Sequence, residues 1–124
     1  LDIQDIPGSI CHAAVILAND LSINKIVIMT ETGLTAMKMA RYRPKAIVFA
    51  LCTIEKVCFQ LSLIWGIIPI LVKPYSTTET MIQDIGDLLQ QKGYFKKGDL
   101  FIITTGVSTV ESGSTNMLKI HEVV

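Results

Sequence analysis

Lys25-Ile26-Val27-Ile28-Met29-Thr30-Glu31-Thr32-Gly33 decides the fold. Its first five residues are a continuous, largely β-branched apolar run, the pattern of a strand covered on both faces in a parallel sheet. The next four are polar and end in glycine, so the strand stops and turns there. From Leu34 the apolar residues Ala36, Met37, Met39 and Ala40 continue at helical spacing to about Tyr42, where Pro44 disfavours helical geometry at Arg43.

Working outward, the same unit recurs. Ile10, Ala13, Ala14, Leu17 and Leu21 predict a helix before the first strand, ended around Asn19, Asp20 and Asn24. Ala46 to Leu51 predicts a second strand, with Thr53 as N-cap of a helix whose Val57, Phe59, Leu61 and Ile64 include an inward stripe ending at Gly66. Ile67 to Val72 predicts a third strand, and Pro69 confines it to a strand start or a sheet edge. Ser76, Thr77 and Thr78 offer caps for a helix burying Met81, Ile82, Ile85, Leu88 and Leu89, with Gly93 at its C′ position. Leu100 to Thr104 predicts a fourth strand. Gly106 to Thr115 is a Gly/Ser/Thr-rich loop, and Asn116 to Val124 predicts a last strand too close for a crossover helix, hence antiparallel at an edge. The fold class is therefore α/β: a three-layer α/β/α sandwich around an open five-stranded, mostly parallel sheet with the last strand antiparallel. Residues 1–124 form a single domain in this reading.

Composition narrows the function. Half of the 124 residues are apolar and 18% are charged, lean enough in charge to leave apolar surface for a neighbouring chain or domain. Eleven basic and eleven acidic residues cancel, so no global field draws the chain to nucleic acid or to an anionic membrane, and neither is expected as a partner. The stretch from Val57 to Val72 is too short for a spanning helix and is broken by Gly66 and Pro69. Cys11, Cys52 and Cys58 show no metal-like spacing and read as unpaired core residues of a reduced, cytoplasmic protein. A start at Leu1, without Met or a signal pattern, suggests a fragment of a longer chain.

Ligands of such sheets gather at the carboxyl ends of the strands. Thr30, Thr32, Gly33 and Thr35 stand where a buried strand meets a helix N-terminus, a place suited to a phosphate. From spacing alone a helix cap is the favoured reading of the same residues: hydroxyls satisfy the orphan amides and glycine eases the turn. Glu31 opposes an incoming anion. Gly106 to Gly113 has the flexible ends and hydroxyls of a lid, or of a plain polar connection. No catalytic constellation and no metal set emerges: His12 and His121 sit at opposite ends, and neither has a Cys or paired carboxylate at motif spacing. His12 reads as solvated or satisfied, Trp65 as packing, and Arg41, Tyr42 and Arg43 as a helix C-terminus complementing its dipole.

Taken in order, SICHAAVILANDLSINKIVIMTETGLTAMKMARYRPKA from Ser9 to Ala46, LIWGIIP from Leu63 to Pro69, KKGD from Lys96 to Asp99 and GSTN from Gly113 to Asn116 resemble the C-terminal domain of pyruvate kinases. The resemblance spans about Ile6 to Val123. It implies a regulatory and tetramer-assembly domain without catalytic residues, attached to a barrel and a capping domain. The barrel would transfer phosphate from phosphoenolpyruvate to ADP in glycolysis, with Mg2+ and K+ as cofactors of the parent enzyme. The implied partners are the rest of that chain, further copies in a homotetramer, and a phosphorylated effector. Thr30, Thr32, Gly33 and Thr35 match the effector-phosphate loop, and Gly106 to Gly113 matches the loop that closes over it. Members that respond to fructose bisphosphate hold its second phosphate with a tryptophan and an arginine that 76–85 lack. That turns the expectation toward a sugar monophosphate or AMP, with Lys73 the nearest cation in sequence. An assembly domain with no effector, a stand-alone phosphate-ligand-binding domain and a small phosphatase-like enzyme using Glu31 are the alternatives.

Overall fold

The computed structural model describes residues 5–74, 77–105 and 117–124. The chain runs α1 (Ile6–Leu21), β1 (Lys25–Met29), α2 (Leu34–Arg41), β2 (Ile47–Cys52), α3 (Glu55–Leu61), β3 (Ile67–Leu71), α4 (Thr78–Gln91), β4 (Leu100–Thr105) and β5 (Met117–Glu122). The strands form one sheet in the order β3-β2-β1-β4-β5. β1 pairs in parallel with β2 and with β4, and β2 in parallel with β3; β5 lies antiparallel on β4. Pro69, which cannot donate to a ladder, falls in β3 at the sheet edge.

Alternate residues of the strands feed two cores. Ile26, Ile28, Val48, Ala50 and Ile102 pack with Cys11, Ala14 and Ala18 of α1, Ala36 and Met39 of α2, and Val57 and Leu61 of α3. Val27, Phe49, Leu51, Phe101 and Ile103 pack with Met81, Ile82, Ile85 and Leu89 of α4. Three helices therefore cover one face and one helix the other, which explains why β1 is apolar throughout: Ile26, Val27 and Ile28 are all fully buried.

The helix ends follow local chemistry. α1 starts on Asp5, whose carboxylate accepts the Gly8 N–H, and stops at Ser22 in the left-handed region. α2 stops at Tyr42, and Arg43 then takes a φ of 45°, an uncommon conformation for a side-chain-bearing residue. Thr77 caps α4 by accepting the Thr80 N–H at 3.1 Å.

Four expectations need correction. β2 extends to Cys52, so the N-cap of α3 is Ile54 rather than Thr53, with no side-chain hydrogen bond. Phe59 lies about 200° round the helix from Val57 and Leu61 and is exposed, so the inward face of α3 is Val57 and Leu61, with Ile64 half-buried beyond its end. Trp65 does not pack: it is 89% exposed. Cys52 and Cys58 are not separate thiols; their Cα atoms lie 6.0 Å apart and their sulfurs are bonded, while Cys11 is free and buried.

Candidate functional site

The strand order places β1 at the centre, with β2 and β3 to one side and β4 and β5 to the other. The chain leaves β1 toward β2 through α2 and returns from β3 through α4, on the opposite face, to β4. The order thus reverses between β1 and β4, and the carboxyl ends of those strands flank the crevice where open α/β sheets hold ligands.

The loop from Thr30 to Gly33 follows β1 on one side of that position. Thr30 continues the β1 ladder, donating its N–H to Leu51 O at 3.0 Å. Its side chain is buried and its Oγ1 accepts the Gly33 N–H at 2.9 Å. Gly33 has φ 91°, which an L side chain adopts only at a cost, and it turns the chain into α2. Thr32 Oγ1 accepts the Leu34 N–H at 3.4 Å in an exposed setting. Thr35, in the first turn of α2, is buried, and its carbonyl faces Cys11 Sγ at 3.7 Å. The first turn of α2 carries no acidic residue, so the positive end of the helix dipole is uncompensated from within the helix. Glu31, beside it, is exposed.

The structure therefore brings Thr30, Thr32, Gly33 and Thr35 into one turn, and it assigns the first two hydroxyls to cap bonds. On the other side of the crevice β4 ends at Thr105, and its register sets Thr104 beside Ile28. Thr104 is fully buried, and its Oγ1 has no hydrogen-bond partner among the described residues. Nothing in the sequence singles this residue out, since it reads as one more position of a buried strand. Gly106 and Gly113, the ends of the expected closing loop, lie outside the described residues.

Lys73 belongs elsewhere. It follows β3 and lines a cleft of about 520 Å³ with Leu71, Val72, Pro74, Thr80, Asp84 and Leu88. β3 stands two strand spacings from β1, roughly 10 Å. His12 is also remote from catalytic groupings: it is exposed on α1 and stacks on Tyr42, with ring centroids 4.8 Å apart. Lys38 of α2 is engaged with Asp5 at 2.7 Å, and this ammonium, followed by the Gly8 N–H, holds the Asp5 carboxyl below its usual value. Burial pushes the Cys11 thiol up to about 11, so it is not a nucleophile near neutral pH.

Comparison with known proteins places these features in a family. Residues 8–121 match the family described as pyruvate kinase, alpha/beta domain. A pyruvate kinase of Clostridium acetobutylicum is 42% identical over 106 residues, covering 86% of this chain and 22% of that protein. One from Lactobacillus delbrueckii subsp. bulgaricus is 34% identical over 118 residues, covering 95% of this chain and 20% of that protein. The chain thus spans about a fifth of the length of the curated relatives it matches. The crystal structure of a pyruvate kinase from Cryptosporidium parvum superposes with a TM-score of 0.86 at 25% identity, over all of this chain and 24% of the other.

Proposed function

Because this chain belongs to the pyruvate kinase family as its C-terminal alpha/beta domain, we propose that it is the regulatory and tetramer-assembly part of such an enzyme and binds a phosphorylated effector at the Thr30–Thr35 turn. The observation that carries this reading is the position of that turn: a helix N-terminus with no acid in its first turn, at the point where the strand order reverses. The Thr104 hydroxyl, buried and without a hydrogen-bond partner among the described residues, is a second polar group near the same strand ends, on the strand beside β1; a buried unpaired polar group costs about 1–3 kcal/mol.

The reaction is assigned to the rest of the polypeptide, which makes up about four-fifths of the relatives' length. That part would transfer phosphate from phosphoenolpyruvate to ADP, hold Mg2+ and K+, and work in cytoplasmic glycolysis. This domain would act on it through assembly. An effector shifts the balance of tetramer states only by its difference in affinity between them. Glu31 and the lack of an extra cation in the turn favour an effector with one phosphate, a sugar monophosphate or AMP. A second reading, an assembly domain whose turn is only a cap, draws on the cap bonds to Gly33 and Leu34.

A thermal-shift titration with ribose 5-phosphate, glucose 6-phosphate, AMP and fructose bisphosphate separates the two. A ligand at a hundred times its dissociation constant adds about 2.7 kcal/mol to stability. We expect one monophosphate to raise the melting temperature and Thr32→Ala to abolish the rise; no shift with any compound leaves the cap-only assembly domain.

A further inference from the structure

Cys52 is the last residue of β2, and Cys58 lies in the helix that follows, α3. Their disulfide ties the carboxyl end of a central strand to a seven-residue helix that starts without a side-chain cap. So short a helix holds its shape through its tertiary contacts, and the bond is one of them. On its inner side α3 presses against the turn described above. A Cβ at Gly33 would stand 3.5 Å from Leu61 Cδ2 and 3.6 Å from Val57 Cγ1, so these two side chains form the wall behind Gly33.

The surroundings also suit the reduced pair. Ala50 O and Ile70 O lie 3.9 and 3.8 Å from Cys52 Sγ, and Cys52 O lies 3.9 Å from Cys58 Sγ, so each thiol would find a carbonyl to donate to. Cys52 is fully buried, whereas Cys58 is half-buried and is the more exposed of the two.

We propose that Cys52 and Cys58 are a reversible redox modification site, a clip whose closure fixes α3 on the end of β2 and, through Val57 and Leu61, stiffens the Gly33 turn. The co-reactant is a low-molecular-weight thiol of the glutathione class. Its thiolate attacks Cys58 Sγ; the Cys52–Cys58 bond breaks, and Cys52 leaves with the electron pair and takes a proton. A second external thiolate attacks the mixed disulfide at the external sulfur, and Cys58 departs and is protonated. Two thiols become one external disulfide as two electrons and two protons enter the protein, and oxidation by the same disulfide reverses each step. The inference rests on the proposed effector reading only for what the turn is used for.

The test takes the full-length protein through glutathione buffers from fully reduced to fully oxidised, counts free thiols by alkylation and mass spectrometry, and follows hydrogen exchange of 30–37 and 53–61 in each state. We expect one reversible loss of two thiols at Cys52 and Cys58, and exchange of both segments roughly fivefold or more faster when reduced. Cys58→Ser, or Cys52→Ala if the first variant does not fold, is expected to exchange in oxidised buffer like the reduced wild type. Thiols that never pair, a bond that native reducing buffer never opens, or equal exchange in the two states overturns the proposal. No effector enters these measurements. An effector titration that fails in both redox states sinks the effector reading alone.

Discussion

The Thr30 hydroxyl accepts the Gly33 N–H at 2.9 Å from a side chain that is only 4% exposed. This bond closes the turn between α2 and a strand whose three middle residues are fully buried. Thr30→Val keeps the shape and removes the acceptor, leaving the Gly33 N–H without its partner. The expected loss is about 1–2 kcal/mol in urea denaturation. Thr30→Ser retains the oxygen and is expected to lose less than half of that; equal losses in the two variants would assign the effect to packing instead.

Gly33 makes the next prediction. Its φ of 91° is strained for any L side chain, while the contacts a Cβ would make with Leu61 and Val57 are ordinary van der Waals distances. Gly33→Ala is therefore expected to cost about 1–2 kcal/mol through the backbone, with little change in how α3 packs. Chemical-shift changes confined to 30–36 would bear this out, whereas changes spread along α3 would point to a steric cause.

β1 was legible to the residue, because an unbroken apolar run bounded by polar turns has one reading in a two-sided sheet. The antiparallel β5 and the Gly93 end of α4 were legible too, one from loop length and the other from turn chemistry. The misreadings share a cause. Phe59 and Trp65 were assigned by hydrophobicity, but Phe59 falls opposite the inward positions of a seven-residue helix and Trp65 lies in the connection after it, exposed. The Cys52–Cys58 bond depends on a 6.0 Å approach that a spacing of six residues does not announce. At the site, the sequence offered cap or phosphate loop for Thr30 and Thr32. The structure has the cap bonds, and a capped turn still presents the helix start.

Two carboxylates contribute to stability in a pH-dependent way. Asp99 accepts the Lys96 N–H at 2.8 Å and faces Lys25 at 3.2 Å; the backbone bond first, then Lys25, outweigh partial burial and hold its carboxyl below the usual value. Asp5 is lowered in the same direction by Lys38 and the Gly8 N–H. In the unfolded chain both bind protons at higher pH than in the folded one. Their contribution is thus present above about pH 4 and is lost as pH falls through the folded values. Melting temperature is expected to fall more steeply below pH 4 in the wild type than in Asp5→Asn/Asp99→Asn, and parallel curves would refute the assignment.

Cys11 offers a probe of opening. It is fully buried, and its thiol is raised to about 11, chiefly by burial. At pH 8 iodoacetamide is expected to label it only through unfolding, at a rate that climbs with urea in step with loss of structure. Labelling at the rate of a free thiol in native buffer would mean that α1 detaches from the sheet on its own.

Trp65 tests the surface at the end of α3, in the connection to β3. It is 89% exposed, Leu63 76% and Phe59 68%, and it is the single tryptophan of the 124 residues, so its fluorescence reports this surface without interference. In this chain alone its emission is expected to match that of tryptophan in water, with acrylamide quenching close to that of a free indole. Trp65→Ser is expected to change unfolding free energy by no more than about 0.5 kcal/mol, as for other surface positions. Apolar side chains exposed this far at neighbouring sequence positions are a feature of contact surfaces. Adding the rest of the polypeptide is therefore expected to shift the emission to shorter wavelength and reduce quenching. An unchanged spectrum would mean that the connection after α3 faces solvent in the assembled protein, and that assembly uses another surface of the domain.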